Sequence, residues 1–73
     1  MPQRLQYRRI VGETIRAHRK RAGITQEKLA EKADLHHNYV GELERGEKAA
    51  SIDTIVKIAD GLGIRPSTLL KRL

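Results

Sequence analysis

Seventy-three residues allow one domain at most, too small for a catalytic and a sensing unit together and near the size where a single core gives little net stability. With no cysteine, neither disulfides nor thiolate metal sites can brace the fold, which leaves packed helices or dimerisation and suits a reducing cytoplasm. A net charge of +6 and a pI near 10.2 favour an anionic partner, without separating nucleic acid from a membrane surface or from plain solubility.

The distribution of charge says more. Before Ala22 lie Arg4, Arg8, Arg9, Arg16, Arg19, Lys20 and Arg21 against the single acid Glu13, and beyond it cations and acids balance. A basic run of this kind is a solvated helix face or, in an acid-poor leader, a transit peptide. Glu13 and the merging of the run into a helical pattern oppose removal. No apolar run approaches the roughly 18 residues of a membrane span, and no secretory apolar segment is present.

Apolar residues recur three or four apart throughout, which predicts an all-α chain of five helices. Val11, Ile15 and then His18 or Ala22 mark one face of the first, which Gly23 ends. Thr25 caps a short second helix over Gln26 to Ala33, with Leu29, Ala30 and Ala33 inward. Asp34 and Leu35 turn the chain, and a third helix runs from about His37 to Arg45 with Val40 and Leu43 inward and Gly46 closing it. Ser51 caps a fourth helix with Ile52, Ile55, Ile58, Ala59 and Leu62 apolar, stopped by Gly61 and Gly63. Pro66 suits the first turn of a last helix carrying Leu69, Leu70 and Leu73.

Two short helices joined by a tight turn, the second exposing polar side chains, form the arrangement that lays a helix into the DNA major groove. The start of the second helix offers unpaired N–H groups and a positive dipole end to a phosphate beside Gln26. Ala30 is small where the two helices approach, Leu35 fills the space under the turn, and the third helix can project His37, Asn38 and Glu42 outward.

The run GITQEKLAEKADLHHNYVGELERG followed by SIDTIVKIADGLGI resembles the Cro/C1 repressor type of helix-turn-helix domain, the XRE family. The resemblance covers about residues 10–70 and rests on the joint occurrence of Gly-x-Thr-Gln, the Leu-Ala pair, Tyr-Val-x-x-Leu-Glu-Arg-Gly and Ala-x-x-Leu-Gly. It implies a compact, lambda-repressor-like fold of five helices and transcriptional regulation, usually by a homodimer on a palindromic operator. Residues 10–73 would form this domain, and residues 1–9 a basic N-terminal arm on the backbone or minor groove, or an extra turn of the first helix.

Position by position, the resemblance implies that Gln26 bonds a phosphate and braces the first reading residue. His37 and Asn38 fall where base edges are read, Glu42 one turn later on the same face, and Arg45 and Lys48 where the backbone is contacted. Arg19 and Glu44 match a partly buried ion pair tying the first helix to the third. Two departures stand out: Asp34 and His36 occupy places commonly held by Gly and by Ser or Thr, and histidine is the poorer cap. His18 stands where an apolar residue is common, which suggests a satisfied core histidine.

The chemistry of each reading residue leaves choices. Asn38 can pair bidentately with adenine, and His37 can donate to guanine or, when protonated, to a phosphate. Glu42 either accepts from cytosine N4 or forms an exposed pair with Arg45. Tyr39 covers the helix junction and has a hydroxyl to offer a phosphate, while Arg16 and Lys20 are backbone candidates on the first helix.

His36 and His37 point apart and have no companion ligands, so no metal or other cofactor is expected, and no catalytic set is present. The partners expected are double-stranded DNA and a second copy of the chain through Leu69, Leu70, Leu73 and part of the fourth helix; no membrane is expected. An activator would also need a surface for RNA polymerase, with Glu44 and Glu47 as candidates. The rival class is an antitoxin-type module whose main partner is a toxin protein.

Overall fold

The computed structural model describes residues 6–73, and the first five residues, including Arg4 of the expected basic arm, lie outside that range. Five helices follow one another: α1 (Gln6–Arg21), α2 (Gln26–Ala33), α3 (His37–Glu44), α4 (Ile52–Leu62) and α5 (Pro66–Leu70). Arg8 and Arg9 therefore belong to an early turn of α1, and Ala22 lies beyond its end and is exposed.

Local chemistry sets most of the helix ends. Thr25 accepts the Lys28 N–H at 3.0 Å and Ser51 the Thr54 N–H at 3.1 Å, so both helices begin at a hydroxyl cap. At the end of α2 the chain turns left-handed at Asp34 (φ 57°, ψ 49°), and the Leu35 N–H reaches back to the Ala30 carbonyl at 2.9 Å. Aspartate tolerates this conformation because its short polar side chain compensates locally. Gly61 does not stop α4, as its sequence position suggested; the helix passes through it, and Gly63 provides the left-handed cap.

The core is aliphatic and drawn from all five helices, with Ile15, Leu29, Val40, Ile58 and Leu69 fully buried. Ala30 is buried between α2 and α3, while Leu35 is half-buried against the core. Two sequence expectations are corrected here, for Leu69 and His18. Leu69 belongs wholly to the core and cannot serve a subunit interface. Ile52 points outward, 70% exposed, because it occupies the first turn of α4 ahead of the buried Ile55–Ile58–Ala59 face. His18 is half-buried, and among the described residues its ring makes no hydrogen bond, so it is not a satisfied core histidine.

α1 and α3 lie unusually close because residue 12 has no side chain. A Cβ built on Gly12 would stand 2.2 Å from the Leu43 carbonyl oxygen and 2.8 Å from that of Glu44. Across the same junction Arg19 forms a fork with Glu44, Nε to Oε2 at 2.6 Å and Nη2 to Oε1 at 3.0 Å. These contacts fix the third helix against the first and so set which of its faces is left outside.

Candidate nucleic-acid interface

The face of α3 turned away from the core begins with His37 and Asn38, both exposed, and continues one turn later with half-buried Glu42. A shallow surface hollow of about 340 Å³ joins all three to Gln26, Glu27, Gly41 and Arg45. A second hollow, lined by Arg9, Glu13, Arg16, Gln26, Glu44 and Arg45, runs beside it along α1. Gln26 and Arg45 belong to both. The structure thus brings the three reading candidates together with Gln26, Arg45 and Arg16.

Gln26 is held by the ion pair behind it. Its Nε2 donates to Glu44 Oε1 at 3.0 Å, so the carboxylate accepts from both Arg19 and Gln26. That bond fixes the amide's orientation, since the opposite one would set its oxygen against a carboxylate. Among the described residues the second amide hydrogen has no partner, and Oε1 lies toward Gly41, 3.3 Å from where a Cβ at that position would stand. Gly41 thereby keeps room for the amide under α3. Arg19 is held charged more firmly than a free arginine, first by its hydrogen bond to Glu44, and its Nη1 also donates to the Ile24 carbonyl at 2.9 Å.

Other charged groups pair differently from the sequence expectation. Arg45 does not join Glu42; its Nε donates to Glu47 Oε2 at 2.7 Å. This bond raises the guanidinium's affinity for its proton and holds the Glu47 carboxyl below the usual carboxylate range. Because that depressed group is charged above its ordinary range, the pair is intact at neutral pH and comes apart only as strong acid protonates Glu47. Glu42 faces Lys48 instead, at 4.0 Å, and Lys28 pairs with Glu31 at 3.0 Å.

Three further candidates stand apart from the hollows. Lys20 is exposed on α1 and lines neither of them. Lys48 stands at the edge of an apolar groove. Tyr39 is half-buried, and its hydroxyl lies 3.3 Å from the Ala49 carbonyl and 3.4 Å from Thr54 Oγ1, bracing α3 on the loop and on α4. Sequence reasoning missed Arg9 as a lining residue, because the basic run gives no phase until the start of α1 is known. It also missed Glu44 as the anchor of Gln26, a contact spanning 18 residues.

Among the described residues no cluster suited to a metal ion exists, and no helix is long and apolar enough to cross a membrane. A capped helix, a three-residue turn and a second helix with a polar outer face define a helix-turn-helix unit of the kind that enters the major groove. The Helix-turn-helix family model matches residues 15–69, and the chain belongs to that family.

Similar proteins include the control protein C.BamHI of Bacillus amyloliquefaciens, 41% identical over 64 residues, which cover 86% of this chain and 79% of that protein. The immunity repressor of Bacillus phage phi105 is 40% identical over 60 residues, covering 82% of this chain but only 42% of the repressor. Among solved structures, the restriction-modification controller protein C.AhdI from Aeromonas hydrophila superposes with a TM-score of 0.83 at 37% identity, over 85% of this chain and 94% of that one.

Proposed function

We propose that the protein is a sequence-specific DNA-binding transcriptional regulator that acts as a homodimer on an inverted repeat, in the manner of a restriction-modification controller or a phage repressor. The observation that carries this reading is the single hollow uniting His37, Asn38 and Glu42 with Gln26 and Arg45 on the outer face of α3. Asn38 and His37 meet base edges, Gln26 and Arg45 seat phosphates, and Arg16 with Arg9 follows the backbone along α1. The reading unit is residues 10–73, and residues 6–9 lengthen α1. A working compartment shared with DNA, the prokaryotic cytoplasm or nucleoid, follows from the same reading.

Selection from a randomised duplex library at about 150 mM salt tests it directly. An enriched inverted repeat supports the reading, with affinity falling as salt rises by a log–log slope of about −0.9 per neutralised phosphate. Nonspecific binding with no enrichment defeats it and turns attention to a protein partner such as a toxin. Should the protein contact RNA polymerase, Glu47 is the acid available, because Glu44 is buried and engaged by Arg19 and Gln26.

Within the hollow, Glu42 confers preference through repulsion as well as attraction. A carboxylate near phosphates is unfavourable unless a cytosine amino group satisfies it. Glu42→Gln is expected to relax preference at one base position while leaving nonspecific affinity equal or tighter. An unchanged preference across a set of operator variants would rule this out.

The dimer surface lies on the side of α4 and α5. An apolar groove of about 260 Å³ there is lined by Tyr7, Val11, Leu43, Ile52, Leu70 and Leu73, among others. Ile52 and Leu73 at its margin are 70% and 52% exposed, so covering them removes apolar area that the monomer leaves in water. Ile52→Asp, at a position 70% exposed in the monomer, is expected to weaken self-association by about a hundredfold while helical content is kept. Sedimentation equilibrium checks this, and an unchanged dimer constant would place the interface elsewhere.

A further inference from the structure

The cap of α3 is a histidine. His36 has extended backbone (φ −69°, ψ 138°), and its ring Nδ1 accepts the Asn38 N–H at 3.2 Å. A ring nitrogen can accept only while it carries no proton, so this contact requires the tautomer with hydrogen on Nε2. The two adjacent histidines do not point apart as their sequence positions suggested: the same ring stacks on His37, with centroids 4.8 Å apart and planes 19° from parallel. One side chain therefore touches both residues of the first reading turn, the backbone of Asn38 and the ring of His37.

We propose that His36 is a positioning residue for DNA reading, which holds the first turn of α3 through an unprotonated ring nitrogen, so that selectivity among duplexes weakens as that ring is protonated. The inference rests on the DNA-binding function proposed above. It departs from a serine or threonine cap in one respect: a hydroxyl accepts at any ordinary pH, whereas an imidazole becomes a donor on both nitrogens in acid. Protonation would point a second N–H at the Asn38 N–H and add positive charge to the positive end of a helix. The first turn then loses its cap, and Asn38 and His37 lose their fixed aim.

The charged groups facing the two rings come from α2 and, on the His37 side, from Glu42 and Arg45 at the far end of α3. Glu27, Lys28 and Glu31 line a common hollow with His36 and His37. Lys28 is already bonded to Glu31 at 3.0 Å, and among the described residues no ion pair or hydrogen bond joins any of the three to either ring. Asp34 is exposed in the turn just before. The cap is thus a local contact made by one ring.

Two measurements test this, using the duplex enriched in the selection and a scrambled duplex of equal length. Affinities for both are measured at about pH 8 and about pH 5.5, on either side of the ordinary imidazole range, for the parent protein and for His36→Ser. In the parent, the ratio of enriched to scrambled affinity is expected to fall about fivefold in acid, the usual effect of losing an N-cap. Binding to the scrambled duplex stays level or tightens, since a charged ring suits phosphates. In His36→Ser the ratio should change by less than about twofold, because serine caps without titrating. His18 and His37 are present in both proteins, so the difference belongs to position 36.

The free protein supplies the second readout. The Asn38 amide proton resonance is expected to move with the same midpoint as the His36 ring. A flat Asn38 amide across that midpoint overturns the cap, whatever the DNA data. An equal fall of selectivity in parent and variant, or none in either, overturns the positioning role while leaving the DNA-binding function standing. A protein that favours no duplex even at about pH 8 overturns both.

Discussion

Gly12→Ala is expected to cost about 3 kcal/mol of stability and to lower the melting temperature by about 15 °C, which leaves little of the folded state in so small a domain. The reason is backbone against backbone. The added Cβ would meet the Leu43 carbonyl at 2.2 Å and the Glu44 carbonyl at 2.8 Å, and no side-chain rotation can relieve either contact. α1 and α3 must separate, which also pulls Arg19 from Glu44. Gly61→Ala provides the comparison, because its Cβ would have the Lys32 side chain at 3.3 Å and Ala33 and Leu29 at 3.4 Å. There the gain in helix propensity and the slight crowding nearly cancel, within about 1 kcal/mol. Thermal melts followed by circular dichroism decide the matter; equal melting temperatures for the two variants would show that α1 and α3 are not held at this separation.

The second large effect belongs to the ion pair. Glu44→Ala is expected to destabilise the fold by about 3 kcal/mol, since it leaves a nearly buried guanidinium without its partner. The side chains of Arg19 and Glu44 are 12% and 2% exposed, so solvent screens the pair little. Replacing both by apolar residues, as in Arg19→Met with Glu44→Leu, should restore much of that loss, because the cost lies in the orphaned charge rather than in the missing attraction. DNA binding should not recover with it, as Gln26 would still lack the carboxylate that fixes its amide. Denaturant titration and duplex affinity on the three proteins separate the two roles, and full recovery of affinity in the double variant would show that Glu44 does not position Gln26. Because the Glu44 hydrogen bond raises the Arg19 pKa above the ordinary arginine value, the arginine's share of the stability is fully present up to that value. It is lost only as pH rises beyond it.

Much of the fold was legible in the sequence because its signals are local. Thr25, Ser51 and Pro66 mark helix starts by chemistry that acts within four residues, and the spacing of Leu29, Ala33, Val40 and Leu43 gives the inward faces. The family resemblance added the placement of Gln26, His37, Asn38 and Glu42, which periodicity marks only as outward or capping. What escaped depends on where elements meet. Ile52 reads as one of the apolar residues of the fourth helix, yet it stands 70% exposed at the start of α4; Leu69 reads as a candidate interface residue, yet α5 folds that leucine onto the core. The exchange of partners among Glu42, Arg45, Glu47 and Lys48 follows from the bend after α3, since Arg45 leaves the helix and reaches forward to residue 47. Gly12 gives no sign in the sequence that a carbonyl lies against it.

The internal pairing of cations around the reading helix bears on how the protein spends its time on a chromosome. Lys28, Arg45 and Lys48 each face a carboxylate of their own chain, Glu31, Glu47 and Glu42. A phosphate that draws one of them away must first compete with that carboxylate, so an unrelated stretch of duplex gains less than the overall charge of +6 suggests. On the DNA-binding function proposed above, encounters with such stretches are expected to be brief. Residence at sites where the bases complete the fit, rather than capture, is then what should separate the target from the rest.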